Sequence, residues 1–387
     1  MVYLDYNATT PIDEEVLESY IKTSKNFFAN TSSLHKLGKE SNYMYELAIN
    51  EIKKTLNVEH NIVFTSNATE ANNLGIFGIV NNHKSGKIIT TKTEHASVFE
   101  PIKALKDQFE IIYLDILENG MIDLEQLKRE INKDTILVSI MWVNNVLGTV
   151  NNINEIIKIV KPYSKAKLHV DAVQGLCKVV PNFDFNDIDL FTFSTHKIYG
   201  PKGIGGLIYK KGLNIQKQLY GSSAQFGLKP GTFDLSLIVA TTKAFKKFFP
   251  KTKENQLKVK EIFDYAYAKL SKLNGVIINT PFENISYYCL NFSVINFEGE
   301  TVVRHLENDD IYVSTSSACS SKLKTPEKTI LALTNDNKRA LSSVRISFSY
   351  KVCKNDIDRF VESLERLLYV WYDIGSLWRN DFKKEKL

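Results

Sequence analysis

From about residue 60 to residue 210, short apolar runs rich in β-branched residues alternate with stretches of helical spacing. The runs fall at 62–64, 87–91, 111–114, 135–143, 168–173, 190–194 and 206–209. Such alternation predicts βαβ units, and near-continuous apolar strands such as Ile136-Leu137-Val138-Ser139-Ile140 are what a sheet covered by helices on both faces requires. The expected fold is therefore α/β, built on a mostly parallel seven-stranded sheet. After residue 235 the pattern changes. It predicts a long charged helix over 236–273, strands near 287–294 and 311–314, and a helix over 355–371, together a smaller α+β lobe. No internal repeat or Pro/Gly linker separates the two, so they are expected to pack closely.

A length of 387 residues suits one large domain plus a smaller one, and 43% apolar with 24% charged residues marks an ordinary globular chain. The net charge of +5 is a mild excess, concentrated at 246–260 and 383–386. It reads as solvated helix faces rather than a nucleic-acid surface. Cys177, Cys289, Cys319 and Cys353 lie far apart without a CxxC pair, which argues against a disulfide framework or a zinc ribbon and fits a reducing compartment. The chain opens on the strand-like Val2-Tyr3-Leu4, and no apolar run reaches the roughly 18 to 20 residues that span a bilayer. The expectation is a cytoplasmic protein with no membrane or direct nucleic-acid partner.

Four segments carry candidate chemistry. Ser194-Thr195-His196-Lys197 follows a predicted strand and leads into Ile198-Tyr199-Gly200-Pro201-Lys202-Gly203, which puts Lys197 at the carboxyl edge of the sheet, where open α/β folds bind ligands. A lysine there can form a Schiff base, and Ser194 and His196 can donate to a phosphate. Taken alone, the segment reads more readily as a surface lysine in a turn. Asp171 closes the strand before Ala172-Val173-Gln174 and is suited to keeping a pyridine nitrogen protonated, with Gln174 within reach of the ring's phenolic oxygen. Its plain alternative is a helix N-cap. In Thr65-Ser66-Asn67-Ala68-Thr69-Glu70 a strand gives way to a helix, whose free amides and Thr69 hydroxyl make an anion site. His95, after the next strand, offers an imidazole that can stack on a ring and move protons. Four such pieces at consecutive strand ends point jointly to pyridoxal 5′-phosphate.

With these residues in view, the chain resembles the cysteine desulfurases of the NifS/IscS type, fold-type I pyridoxal-phosphate enzymes, over nearly its full length. The likeness rests on Tyr3-Leu4-Asp5-Tyr6-Asn7-Ala8-Thr9-Thr10-Pro11, Ser32-Ser33-Leu34-His35, the 65–73 phosphate turn, the 135–148 strand with its paired asparagines, and the 194–203 lysine motif. The resemblance implies a large cofactor domain over 12–250, and a small domain from 1–11 and 251–387 that carries a catalytic cysteine loop. It implies that Lys197 binds the cofactor, Asp171 pairs with the pyridine nitrogen, Gln174 contacts the phenolic oxygen and His95 stacks on the ring. Ala68, Thr69, Ser194 and His196 would hold the phosphate, completed by Thr232 from the partner subunit of a homodimer.

Cys319, within Val313-Ser314-Thr315-Ser316-Ser317-Ala318-Cys319-Ser320-Ser321-Lys322, resembles the family's catalytic cysteine in its long-loop form. The implied reaction converts L-cysteine to alanine. Arg345 and Asn145 hold the substrate carboxylate, Lys197 or His95 moves protons, and Cys319 takes the sulfur as a persulfide. The other three cysteines are expected to pack structurally. The stretch 376–382 is similar to the tail with which IscS-type enzymes dock an iron–sulfur scaffold protein, the alternative being plain helix packing. The chain departs from the family pattern at Val146 for Glu, Asn67 for Gly, 221–226 for a Gly-Gly-Gly-Gln-Glu-Arg run, Lys229 for Arg, and Ser349-Tyr350-Lys351 for Gly-Arg-Phe. Two other readings stand beside desulfuration: a selenocysteine lyase or other β-eliminating relative of the same fold, and a non-catalytic sulfur-relay subunit.

Overall fold

The structure is a computed structural model that describes residues 1–315 and 325–384, with side chains to residue 369. A short strand β1 (Val2–Tyr3) precedes the seven strands of the large sheet: β2 (Asn61–Thr65), β3 (Lys87–Thr91), β4 (Glu110–Leu114), β5 (Thr135–Met141), β6 (Lys167–Asp171), β7 (Leu190–Ser194) and β8 (Gly205–Tyr209). Their order across the sheet is β2-β8-β7-β6-β5-β3-β4. All neighbours run parallel except β8, which is antiparallel to both β2 and β7. The predicted seven-stranded, mostly parallel sheet is thus present. Every residue of β5, β7 and β8 is buried, as a sheet covered on both faces demands.

Because β3, β5, β6 and β7 are parallel, their carboxyl ends share one edge. The segments that leave this edge carry His95, Asn145, Asp171 and Lys197. The helix Ala68–Val80 lies across the sheet and buries Ala71, Leu74, Ile76 and Ile79. The turn after Asp171 needs a glycine, because a Cβ on Gly175 would stand 2.1 Å from Cε3 of the buried Trp142.

Beyond the sheet, β9 (Val276–Ile278), β10 (Cys289–Val294), β11 (Ile311–Tyr312), β12 (Ser314–Thr315) and β13 (Ser343–Ser347) follow. Four of them form a second sheet of order β12-β13-β10-β9, antiparallel throughout. β1 pairs in parallel with β11. Two helix expectations need correction. The stretch 236–273 is two helices, Leu235–Phe248 and Thr252–Leu270, because Pro250 lacks the amide that a continuous helix requires. The last helix runs from Lys354 to Lys384 instead of ending near 371, since the single Gly375 only weakens it. Among the described residues, no helix is long and apolar enough to cross a membrane.

Candidate active site

Along the carboxyl edge lies a cavity of about 580 Å³. Its walls include Ala68, Thr69, His95, Asn145, Asp171, Gln174, Ser194, His196, Lys197 and Arg345, residues drawn from across the sheet and from the second sheet's β13. Ten positions expected from the sequence therefore converge. Thr232 is not among them, and lines a different cavity with Tyr45, Gln225 and Pro230. Cys319 lies outside the described residues, and so do the side chains of 376–382.

Lys197 sits in a single helical turn directly after β7. Its ammonium donates to the carbonyl oxygens of Asn7 (2.7 Å) and Ala8 (2.6 Å). This N-terminal segment is strapped over the site, because Thr10 bonds the His196 carbonyl through both its amide and its hydroxyl, and Tyr199 N donates back to Thr10. Burial, with the charge of Lys197 adding to it, brings His196 down to about 4, so its imidazole is neutral at physiological pH.

Asp171 ends β6, where Oδ1 accepts from Val173 N (3.0 Å) and Oδ2 from Asn72 Nδ2 (3.1 Å). The fully buried Asn72 also donates to Ser97 Oγ (2.8 Å) and accepts from Thr192 Oγ1 (2.7 Å). Ser97 Oγ in turn lies 2.7 Å from His95 Nδ1, which also accepts from the Ser97 amide. A hydrogen-bonded chain thus links Asp171 to His95. It leaves Nε2 as the nitrogen that carries the proton of the neutral ring. Burial holds His95 below the ordinary imidazole range, with Asp171 pulling the other way.

At the helix start, the Asn67 side chain accepts from Glu70 N, and Glu70 reaches back to Ser66 N (2.7 Å). Asn67 therefore caps the helix with extended backbone, which needs no glycine. Lys229 forms an ion pair with Glu70, tying its loop to this turn. Across the cavity, Arg345 is buried and anchored by Asp5 Oδ1 (3.1 Å) and the Asn145 carbonyl (3.0 Å). Among the described residues its Nε has no partner.

Sequence reasoning missed several groups. Glu94, fully buried, lines the cavity. Its Oε1 accepts from Met141 N and Thr91 Oγ1, its Oε2 has no partner among the described residues, and burial pushes it up to about 8. Lys328 donates to the Glu94 carbonyl and stands 4.3 Å above the Phe99 ring. Asn72 and Ser97 were hidden because a polar residue inside a helix looks alike whether it faces solvent or a buried carboxylate. Of the cysteines expected to pack, Cys177 and Cys289 are buried, but Cys353 is exposed, its thiol 3.3 Å from Asp356 Oδ2. It lies just before the last helix, where no apolar layer covers it. Val146 is buried beside Leu147, Ile330 and Ala340, so an apolar contact fills the position where the resemblance led to Glu.

The arrangement fits pyridoxal phosphate on its own terms. An amine and a carboxylate share one edge of the sheet, a helix start faces the same space, and the buried Ser194 hydroxyl in the cavity wall has no partner among the described residues. The family profile described as aminotransferase class-V matches residues 2–360, and the chain belongs to that family. The family works with pyridoxal phosphate. Within it, the chain is 37% identical to the cysteine desulfurase IscS of Dictyoglomus turgidum over 372 residues, covering 95% of this chain and 94% of the relative. It is 34% identical to the cysteine desulfurase IscS of Clostridium botulinum, covering 100% and 98%. Among solved structures, a NifS-like protein matches with a TM-score of 0.89 at 32% identity, covering 95% of this chain and 99% of that one. SspA in complex with cysteine matches with a TM-score of 0.78 at 30% identity, covering 91% and 100%.

Proposed function

We propose that this protein is a pyridoxal-phosphate-dependent cysteine desulfurase that converts L-cysteine to alanine and keeps the sulfur as a persulfide on Cys319. The observation that carries the reading is the convergence of Lys197, Asp171, His95 and Arg345 on one cavity. Lys197 would be the attachment point of the cofactor, and Asp171, held by Asn72, would pair with its pyridine nitrogen. Ala68, Thr69, Ser194 and His196 would hold the phosphate, and Gln174 would meet the phenolic oxygen. When bound, the cofactor supplies an electron sink for the substrate carbon.

Arg345, with Asn145 beside it, grips the substrate carboxylate through charge-assisted hydrogen bonds. Lys197 and His95 Nε2 move protons to and from the substrate. The Cys319 thiolate forms a bond to the cysteine sulfur as the carbon–sulfur bond breaks, and the carbon takes up a proton to give alanine. Relatives named cysteine desulfurase favour this reaction over the selenocysteine lyase and relay-subunit readings.

The working form is a homodimer, in which Thr232 completes the partner's phosphate site. Exposed aromatics near the Thr232 cavity, Phe28 at 74% and Tyr220 at 88%, support a covered face there. The large domain comprises 12–250, and the small one 1–11 with 251–387. The enzyme acts in the cytoplasm, and the 376–382 stretch of the last helix docks an iron–sulfur scaffold protein or other sulfur acceptor. Incubation with L-cysteine tests the reaction. Alanine is released and the peptide containing Cys319 gains one sulfur atom, both lost in Cys319→Ser and kept in Cys353→Ala. A persulfide on another cysteine overturns the assignment.

A further inference from the structure

Lys178 is a buried cation that the reaction above does not use. It lies in the turn after β6, and its ammonium donates to Gln174 Oε1 (2.6 Å) and Asn7 Oδ1 (3.0 Å), 5.6 Å above the Tyr288 ring. Both hydrogen-bond partners are neutral amide oxygens. A buried ammonium held this way is costly, and cost without a counter-ion points to a purpose beyond packing.

The consequence falls on Gln174. As an ammonium Lys178 has donors only, and as a neutral amine it still has N–H groups to give the Gln174 oxygen, so it favours the orientation with the oxygen toward it. The NH₂ must then point the other way, and there Nε2 donates to the Asn7 carbonyl (3.0 Å), the same oxygen that accepts from Lys197. Gln174 lines the cavity beside Lys197. Without Lys178, the Asn7 carbonyl alone would select this orientation, and an amide flipped to face the site with its acceptor would be far less disfavoured.

We propose that Lys178 is a positioning residue that locks the Gln174 amide with its NH₂ turned into the cavity, a fixed donor for the anionic phenolic oxygen of the cofactor. The proposal rests on the reading that this cavity takes pyridoxal phosphate. Burial, with the charge of Lys197 adding to it, brings Lys178 down to about 7, so holding the lock in its charged form works against the surroundings.

The test is a double-mutant cycle read by the visible absorbance of the bound cofactor, titrated through the neutral and alkaline range in the full-length protein. A donor to the phenolic oxygen favours the deprotonated chromophore, so losing it raises the titration midpoint. Gln174→Ala is expected to raise the midpoint by about one pH unit and Lys178→Met by part of that, since the Asn7 carbonyl still favours the same amide orientation. The double variant should move no further than Gln174→Ala, because Lys178 acts through Gln174. An unchanged midpoint in Lys178→Met overturns the proposal. So does a shift that adds in full to that of Gln174→Ala, since Lys178 would then act by its charge alone. If Lys178→Met does not fold, Lys178→Arg decides: it keeps a donor to the Gln174 oxygen and should leave the midpoint near that of the unaltered protein, whereas a shift as large as in Gln174→Ala refutes the lock. Unaltered protein that stays colourless with pyridoxal phosphate sinks the cofactor reading first, and the proposal with it.

Discussion

Replacing Glu94 with glutamine should flatten the pH dependence of stability. Glu94 is wholly enclosed, one oxygen accepting from Met141 N (2.8 Å) and Thr91 Oγ1 (3.1 Å), the other with no partner among the described residues. Burial raises its carboxyl from 4.5 to about 8, and the nearby Asp171 charge adds to this. The folded protein therefore holds this proton more tightly than the unfolded chain does. Stability from this group is intact below the unfolded value near 4.5, and is lost progressively as pH rises through about 8. At about 1.4 kcal/mol per pH unit, the loss between about pH 5 and about pH 8 is on the order of 3 to 4 kcal/mol. Glutamine keeps the shape and the accepting oxygen but does not titrate in this range. Denaturant unfolding of the cofactor-free protein at the two pH values, for Glu94 and Glu94→Gln, reads the difference directly. The variant should lose about 3 to 4 kcal/mol less than the parent over that interval. Parallel losses would show that Glu94 is already ionised in the folded protein, and would refute the argument from burial.

Arg345→Lys keeps the charge but loses the fork, so kcat/KM for L-cysteine should fall about tenfold, chiefly through KM, with cofactor binding unchanged; steady-state kinetics beside a cofactor titration decide it. Lys229→Met leaves Glu70 without its ion-pair partner beside the phosphate turn. Because both side chains are partly exposed, stability should change by less than ~1 kcal/mol. Pyridoxal-phosphate affinity, measured by titration of the cofactor-free protein, should weaken several-fold, and an unchanged Kd would place Glu70 outside the field of the phosphate.

The sheet was legible because its strands are short, apolar and evenly spaced, as in Ile136-Leu137-Val138-Ser139-Ile140, and because β6 and β7 end in the chemically distinctive Asp171 and the segment leading to Lys197. Parallel topology then brings strand ends together whatever the loops do, so Lys197, Asp171 and His95 were predictable as a group. Arg345 was harder, since it reaches the cavity from β13 by a long-range contact that only the likeness to a family made visible. The residues that hold the others could not be read at all. Asn72 is polar within a helix, Lys178 is one of many lysines, and Glu94 is one acid beside a histidine; burial and partner geometry alone give each its role. The break at Pro250 was in plain sight, and the charged periodicity on either side concealed it.

The claim on which the rest depends is that Lys197 carries the cofactor. Borohydride reduction of the yellow protein makes an imine linkage permanent, and peptide mass spectrometry then finds the attachment site. The account predicts one phosphopyridoxyl group on the peptide containing Lys197, absent in Lys197→Ala; a label on Lys178, Lys328 or any other lysine would contradict it.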